Sequence, residues 1–151
     1  MSFSDATSSI DSKMRLLFVL EQLHELQEAF SGAKVDWVLV KGAGLALWAW
    51  PDPFARPFSD IDIFVRPRGF GAAVRTLLEI GYTPQAGNED LPMHWTLRKQ
   101  GCLTVELHHD FTREWTCPRK LLDAFCDGAM HVDAGGFLLP LPAAERHLAF
   151  V

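Results

Sequence analysis

Within residues 59–65, Ser-Asp-Ile-Asp-Ile-Phe-Val, the stretch Asp60 to Ile63 alternates polar and apolar side chains with a period of two before running into Phe64-Val65, the pattern of a strand with one polar and one buried face. On such a strand Asp60 and Asp62 share one face and Ile61 and Ile63 the other, with the two carboxylates about 7 Å apart along the backbone. Two like charges on one face repel each other unless a cation joins them. Hard divalent ions such as Mg²⁺ take oxygen ligands, and two-metal centres hold their ions ~4 Å apart, so this spacing suits one or two such ions.

The segment just before it supplies a second element of the same site. Val35 to Val40 reads as a buried strand, Lys41-Gly42-Ala43-Gly44 as a turn, and Leu45 to Trp50 as the helix that departs from it. Small residues let backbone N–H groups approach a phosphate, a new helix turns unsatisfied donors toward it, and Lys41 adds a point charge. Taken alone, the turn reads more readily as an ordinary strand-to-helix connection with a solvated lysine, and the carboxylate strand that follows is what shifts the reading toward phosphate. The loop Pro51 to Pro57 is stiffened by Pro51, Pro53 and Pro57 and carries Arg56, either to a phosphate or into a pair with Asp52 or Asp60. Trp48 and Trp50, near that loop, are candidates to stack on a base, while most of the tryptophans read as core or helix-packing residues.

Downstream, Met93 to Lys99 and Cys102 to His109 read as two strands joined at Gln100-Gly101. In the second, Thr104, Glu106 and His108 share a face. If that strand lies beside Asp60 to Val65, Glu106 completes a cluster of three carboxylates, and His108 serves as a proton carrier, a phosphate contact or a structural histidine. His108, His109 and Asp110, with His94, also admit a zinc reading. The spacing matches no zinc pattern, however, and neighbouring strand residues point to opposite faces.

The remaining segments supply a scaffold. Leu16, Leu17, Leu20, Leu23, Leu26 and Phe30 mark an amphipathic helix over 12–30 ended by Ser31-Gly32, and Phe70, Ala73, Val74, Leu77 and Leu78 mark another over 67–80. Residues 1–12 lack an apolar pattern and read as a flexible lead-in, leaving 13–151 as one domain. Glu89 to Pro92 reads as a loop, 118–125 as a short helix, His131 and Phe137 to Leu139 as weak strands, and 143–151 as the start of a helix. A net charge of −5 removes the basic footprint needed to grip long nucleic acid. Three cysteines without a Cys-x-x-Cys spacing indicate neither a disulfide framework nor a zinc ribbon, and point to a reducing cytoplasm. No run approaches the ~20 apolar residues of a membrane span.

The ordered set Lys41-Gly42, Arg56-Pro57, Asp60/Asp62 and Glu106-Leu107-His108 resembles the nucleotidyltransferase superfamily that includes DNA polymerase beta, and within it a poorly characterised bacterial branch. The likeness covers roughly residues 35 to 110. It implies an α/β (α+β) palm-like domain, a mixed twisted sheet backed by helices, and metal-dependent transfer of a nucleoside monophosphate from a nucleoside triphosphate such as ATP. The acceptor is a small molecule, a peptide, a protein or a transfer-RNA end. By the same likeness Asp60, Asp62 and Glu106 are the catalytic residues and hold Mg²⁺ or Mn²⁺, Glu106 being the third acid or general base. Lys41, Gly42, Ala43, Arg56 and His108 contact the nucleotide. Many members carry Ser where this chain has Ala43, and members of the branch continue into a C-terminal helical region that is expected to be missing here. Those two departures support an alternative, a catalytically silent domain that binds nucleotide or a protein partner. A metal-dependent phosphohydrolase is a third reading of clustered carboxylates.

Overall fold

The computed structural model describes residues 3–53, 56–88, 93–110 and 118–149. The loop expected at Glu89 to Pro92, together with Trp115 and Cys117, lies outside the described residues. The chain opens with α1 (Phe3–Gly32), continues through β1 (Trp37–Val40), α2 (Lys41–Ala49) and β2 (Asp60–Val65), and then a short 3-10 turn leads into α3 (Phe70–Glu79). After these come β3 (Thr83–Pro84), β4 (His94–Arg98), β5 (Thr104–His108), α4 (Arg119–Phe125), β6 (Met130–Asp133), β7 (Leu138–Leu141) and α5 (Ala144–Ala149).

The helix α1 begins at Phe3, well before the apolar stripe that marks it in the sequence, so residues 3–12, expected as a lead-in, have helical backbone. Its buried stripe is Val19, Leu23, Leu26 and Phe30, whereas Leu17 is 62% exposed. Gln22 lies in the same stripe and satisfies its amide fully. It donates to Tyr82 Oη and to the Leu103 carbonyl, both at 2.8 Å, and accepts the Leu103 N–H at 2.9 Å. That polar clasp orients α1 across the sheet. The helix closes through a Val35 N–H bond to the Phe30 carbonyl, with Lys34 in the left-handed region at φ 54° rather than a glycine.

Five strands form a mixed sheet in the order β1-β2-β5-β4-β3. β1 is antiparallel to β2, β2 parallel to β5, and β4 antiparallel to β5 and β3. The parallel pair brings together two segments about forty residues apart in sequence, Asp60 facing Thr104 and Phe64 facing His108. Strand alternation then gives the sheet two unlike faces. Leu39, Ile61, Ile63, Val65, Val105, Leu107 and Leu97 go into the main core, which the stripe of α1, Ala73 and Leu77 of α3, and Leu139 and Leu141 of β7 complete. On the opposite face, Val38, Val40 and Phe64 are covered by Leu122 and Phe125 of α4, and the rest of that face carries polar side chains. Arg66, at the end of β2, ties α4 in place by bonds to Asp36, Asp127 and the Asp123 carbonyl. No helix among the described residues is long and apolar enough to cross a membrane.

Candidate active site

The polar part of the open face is built by register. Asp62 pairs with Glu106 across β2 and β5, Thr96 with Glu106 across β4 and β5, and His94 with His108. Residues opposite each other on one face lie about 5 Å apart at Cβ, close enough for their side chains to meet. Asp62, Glu106 and His108 each bring one ligating atom to a common point, all within 4.8 Å of one another. His108 Nε2 lies 2.9 Å from Asp62 Oδ1 and 3.5 Å from Glu106 Oε2. The Asp62 side chain is 4% exposed and that of Glu106 27%, so one carboxylate is sealed and the other opens to solvent.

The fourth member of the cluster is Lys41. β1 ends at Val40, opposite Asp62, and α2 starts at the next residue with no intervening loop. Lys41 makes that change of direction at φ 49°, a conformation costing a non-glycine residue ~1–3 kcal/mol. The side chain delivered by this strained backbone reaches the carboxylates. Lys41 Nζ donates to Asp62 Oδ1 at 2.8 Å and lies 3.3 Å from His108 Nε2 and 3.8 Å from Glu106 Oε2.

The titrating groups feel this arrangement. The His108 imidazole lowers Glu106 to about 2 against the opposing effect of burial, with His94 and Lys41 adding to the lowering. Burial disfavours the charged form of His108, but its bonds to Asp62 and Glu106 prevail and raise its pKa. Asp60 is raised by burial and by the carboxylates of Asp62 and Glu106, with Lys41 opposing. His94 is lowered by burial and by the neighbouring His108, whose ring centroid is 4.9 Å away, and its Nδ1 is buried without a hydrogen-bond partner among the described residues.

The residues expected to form the site divide into four groups. Asp62, Glu106, His108 and Lys41 meet. Asp60 shares their face and senses their charge but stands one register step away, opposite Thr104, outside the tightest group of donor atoms. His108, expected at a phosphate, takes a place among those donors. Gly42 and Ala43 follow Lys41 in the first turn of α2. A Cβ at Gly42 would meet Phe58 Cβ at 2.9 Å, so glycine is required by close approach and the left-handed residue is Lys41. Ala43 is fully buried in the main core, so this position directs its side chain away from the open face.

Arg56 lies elsewhere. Its guanidinium carbon is 5.4 Å from the centroid of the Trp50 ring, and it lines a cavity of about 140 Å³ with Arg15, Pro53 and Phe58, between α1 and the loop before β2. Trp48 stacks on His147 of α5 at 5.7 Å, and His109 packs on Phe70 at 4.3 Å. His109 is thereby kept out of the cluster, and among the described residues only Asp62, Glu106 and His108 form a group suited to a metal ion. Sequence reasoning placed His94 only in the zinc alternative; its approach to His108 follows from the pairing of β4 with β5.

A mixed sheet with Asp-x-Asp on one strand, Glu on the parallel neighbour, and a strand-to-helix glycine turn beside them defines a nucleotidyltransferase-type domain. Residues 6–151 match the sequence profile of a family described as uncharacterised nucleotidyltransferase, and the chain belongs to that family. No curated protein matches the chain in sequence. Solved structures share the fold. A lincosamide antibiotic adenylyltransferase, LnuA, bound to lincomycin is 17% identical with a TM-score of 0.63, covering 86% of this chain and 84% of that one. ANT(2″)-Ia in complex with adenylyl-2″-tobramycin is 12% identical with a TM-score of 0.64, covering 85% and 71%. A protein from Thermotoga maritima, described as a candidate nucleotidyltransferase, is 20% identical with a TM-score of 0.64, covering 86% and 80%.

Proposed function

We propose that the protein transfers a nucleoside monophosphate from a nucleoside triphosphate to a hydroxyl-bearing small molecule, with a divalent cation at the carboxylate cluster. The observation that carries this reading is the register of β2 against β5, which sets Asp62 opposite Glu106 with the start of α2 at their edge. The carboxylate oxygens of Asp62 and Glu106, within 4.8 Å of each other and of the His108 nitrogen, are hard donors suited to Mg²⁺ or Mn²⁺, and Asp60, on the same face of β2, is the candidate for a further oxygen. When bound, the ion supplies positive charge against the α-phosphate and the departing pyrophosphate.

The chain's own groups do the rest. The first N–H groups of α2 have no side-chain cap, because the residue before the helix is Val40, and in this reading they receive β- and γ-phosphate oxygens. Lys41 neutralises charge on the same phosphates. Asp62, sealed and held by His108, keeps its charge in a fixed position. Glu106, the carboxylate open to solvent, accepts the proton of the acceptor hydroxyl. A carboxylate held near 2, chiefly by its bond with His108, is a weak base, so proton transfer to it accompanies phosphoryl transfer rather than preceding it. Arg56, against Trp50 at the far end of α2, is in this reading a contact for a distal part of the nucleotide or the acceptor.

A net charge of −5 favours a small acceptor over long nucleic acid, and the two antibiotic-modifying enzymes of the same fold act on such molecules. A peptide, a protein or a transfer-RNA end is the next choice of acceptor, and a cytoplasmic setting supplies the triphosphate. A silent binding domain is a second reading, favoured by one observation: the Lys41 ammonium stands among the ligand atoms and compensates their charge with no metal at all. Incubation with each nucleoside triphosphate and a panel of hydroxylated small molecules separates the two. The transfer reading expects pyrophosphate release and a nucleotidylated product that chelation abolishes. Nucleotide binding of equal strength with and without Mg²⁺, and no pyrophosphate, would establish the silent domain.

A further inference from the structure

The point at which Asp62, Glu106 and His108 converge is already taken by a positive charge that belongs to the chain. The three ligating atoms span 4.8 Å at most, and the Lys41 ammonium is 2.8, 3.3 and 3.8 Å from Asp62 Oδ1, His108 Nε2 and Glu106 Oε2. A divalent ion bound to the same atoms, at about 2.0–2.2 Å from each oxygen, leaves no room for an ammonium within contact of all three. Two cations held that close also repel each other strongly in a site that excludes water from Asp62.

The lysine is able to leave. Its side chain is 34% exposed, and four flexible methylenes carry the charge, while the backbone strain at φ 49° holds the Cα at the junction of β1 and α2. From that Cα the uncapped N–H groups at the start of α2 are the neighbouring anion-seeking element, so a triphosphate seated there offers the ammonium a new partner.

We propose that Lys41 is an exchangeable internal counter-ion. It occupies the cation position in the empty enzyme, bars free divalent metal from it, and yields the position when the phosphates of a nucleotide draw it away. The proposal rests on the cation-dependent reading of the site given above. It makes the site selective for the metal–nucleotide pair over metal alone. By linkage, whatever factor nucleotide adds to metal affinity, metal adds to nucleotide affinity.

The test is Mn²⁺ binding to the full chain, followed by electron paramagnetic resonance of the free ion, in wild type, Lys41→Met and Lys41→Arg. Methionine keeps the length and removes the charge; arginine keeps the charge. Without nucleotide, Lys41→Met is expected to bind Mn²⁺ at least tenfold more tightly than wild type, and Lys41→Arg no more tightly than wild type. In thermal melts Mn²⁺ should raise the midpoint of Lys41→Met and leave that of wild type almost unmoved, which also reports that the variant is folded. Equal Mn²⁺ affinity in wild type and Lys41→Met, or weaker binding in Lys41→Met, overturns the exchange while leaving the metal site standing. Absence of Mn²⁺ binding in all three proteins, even with a non-hydrolysable ATP analogue present, overturns the metal reading and the exchange together.

Discussion

The two faces of β2 and β5 alternate along the same eleven residues yet obey different rules. On one side Ile61, Ile63, Val105 and Leu107 are fully buried among the helices, and each contributes through the area it removes from water. On the other, Asp60, Asp62, Thr104, Glu106 and His108 gather charge in a place where only mutual compensation makes burial tolerable. The apolar face stabilises the sheet and the polar face draws on that stability, so damage to each should show in a different measurement.

The largest separation is expected from Asp62→Asn. The isosteric amide keeps the volume but removes the charge that recruits the cation, so nucleotidyl transfer should fall at least a thousandfold, about 4 kcal/mol in the activation barrier. Circular dichroism should stay close to wild type, with a modest fall in the melting midpoint because Lys41 and His108 lose their buried partner. Pyrophosphate release within a few-fold of wild type would break the assignment of the polar face.

One residue further along the neighbouring strand, Leu107→Ala should do the reverse. Deleting a fully buried leucine costs about 3 kcal/mol, read as a fall in the urea midpoint. The folded fraction should retain its Mn²⁺ affinity in the presence of nucleotide. If metal affinity collapses while stability holds, the two faces are not separable in the way their burial suggests.

The smallest effect belongs to Glu106→Gln in acid. The Glu106 carboxyl is held at about 2 against an ordinary 4.5, so it favours the folded state above pH 4.5 and loses that contribution as pH falls from 4.5 toward 2. With solvent reaching the group, the contribution is about 1 kcal/mol. The metal-free variant should show a flatter dependence of stability on pH across that window, and Leu107→Ala should keep the wild-type slope. An unchanged slope in Glu106→Gln would mean that His108 and Lys41 do not hold this carboxylate.

The division into two faces was legible in the sequence because a period of two is written directly in Asp60 to Val65 and Thr104 to His108. The pairing of those strands was stated there only as a condition, since nothing local to either strand specifies a parallel neighbour so far away in the chain. Lys41 was legible as a charge near phosphates but not as the left-handed residue, because the glycine after it is the residue that chain chemistry nominates for that conformation. The exposure of Leu17 and burial of Val19 were missed for a similar reason: a run rich in leucine offers several overlapping stripes, and only the packing of α1 on the sheet selects one. The helical start at Phe3 had no apolar pattern to announce it.

The immediate passage from Val40, the last paired residue of β1, into α2 has a consequence for how such a chain can vary. The separation between the glycine turn and the carboxylates is set by the hydrogen-bond ladder of two adjacent strands, whereas the proline-bearing connection between α2 and β2 takes no part in setting it. Insertions and deletions in that connection are therefore free to reshape what approaches the centre from outside. A single residue gained or lost within Trp37 to Val40 would instead turn the edge strand over and carry the lysine off its mark. Descendants of this architecture can thus diversify their clientele at the loop while the measuring distance inside stays constant.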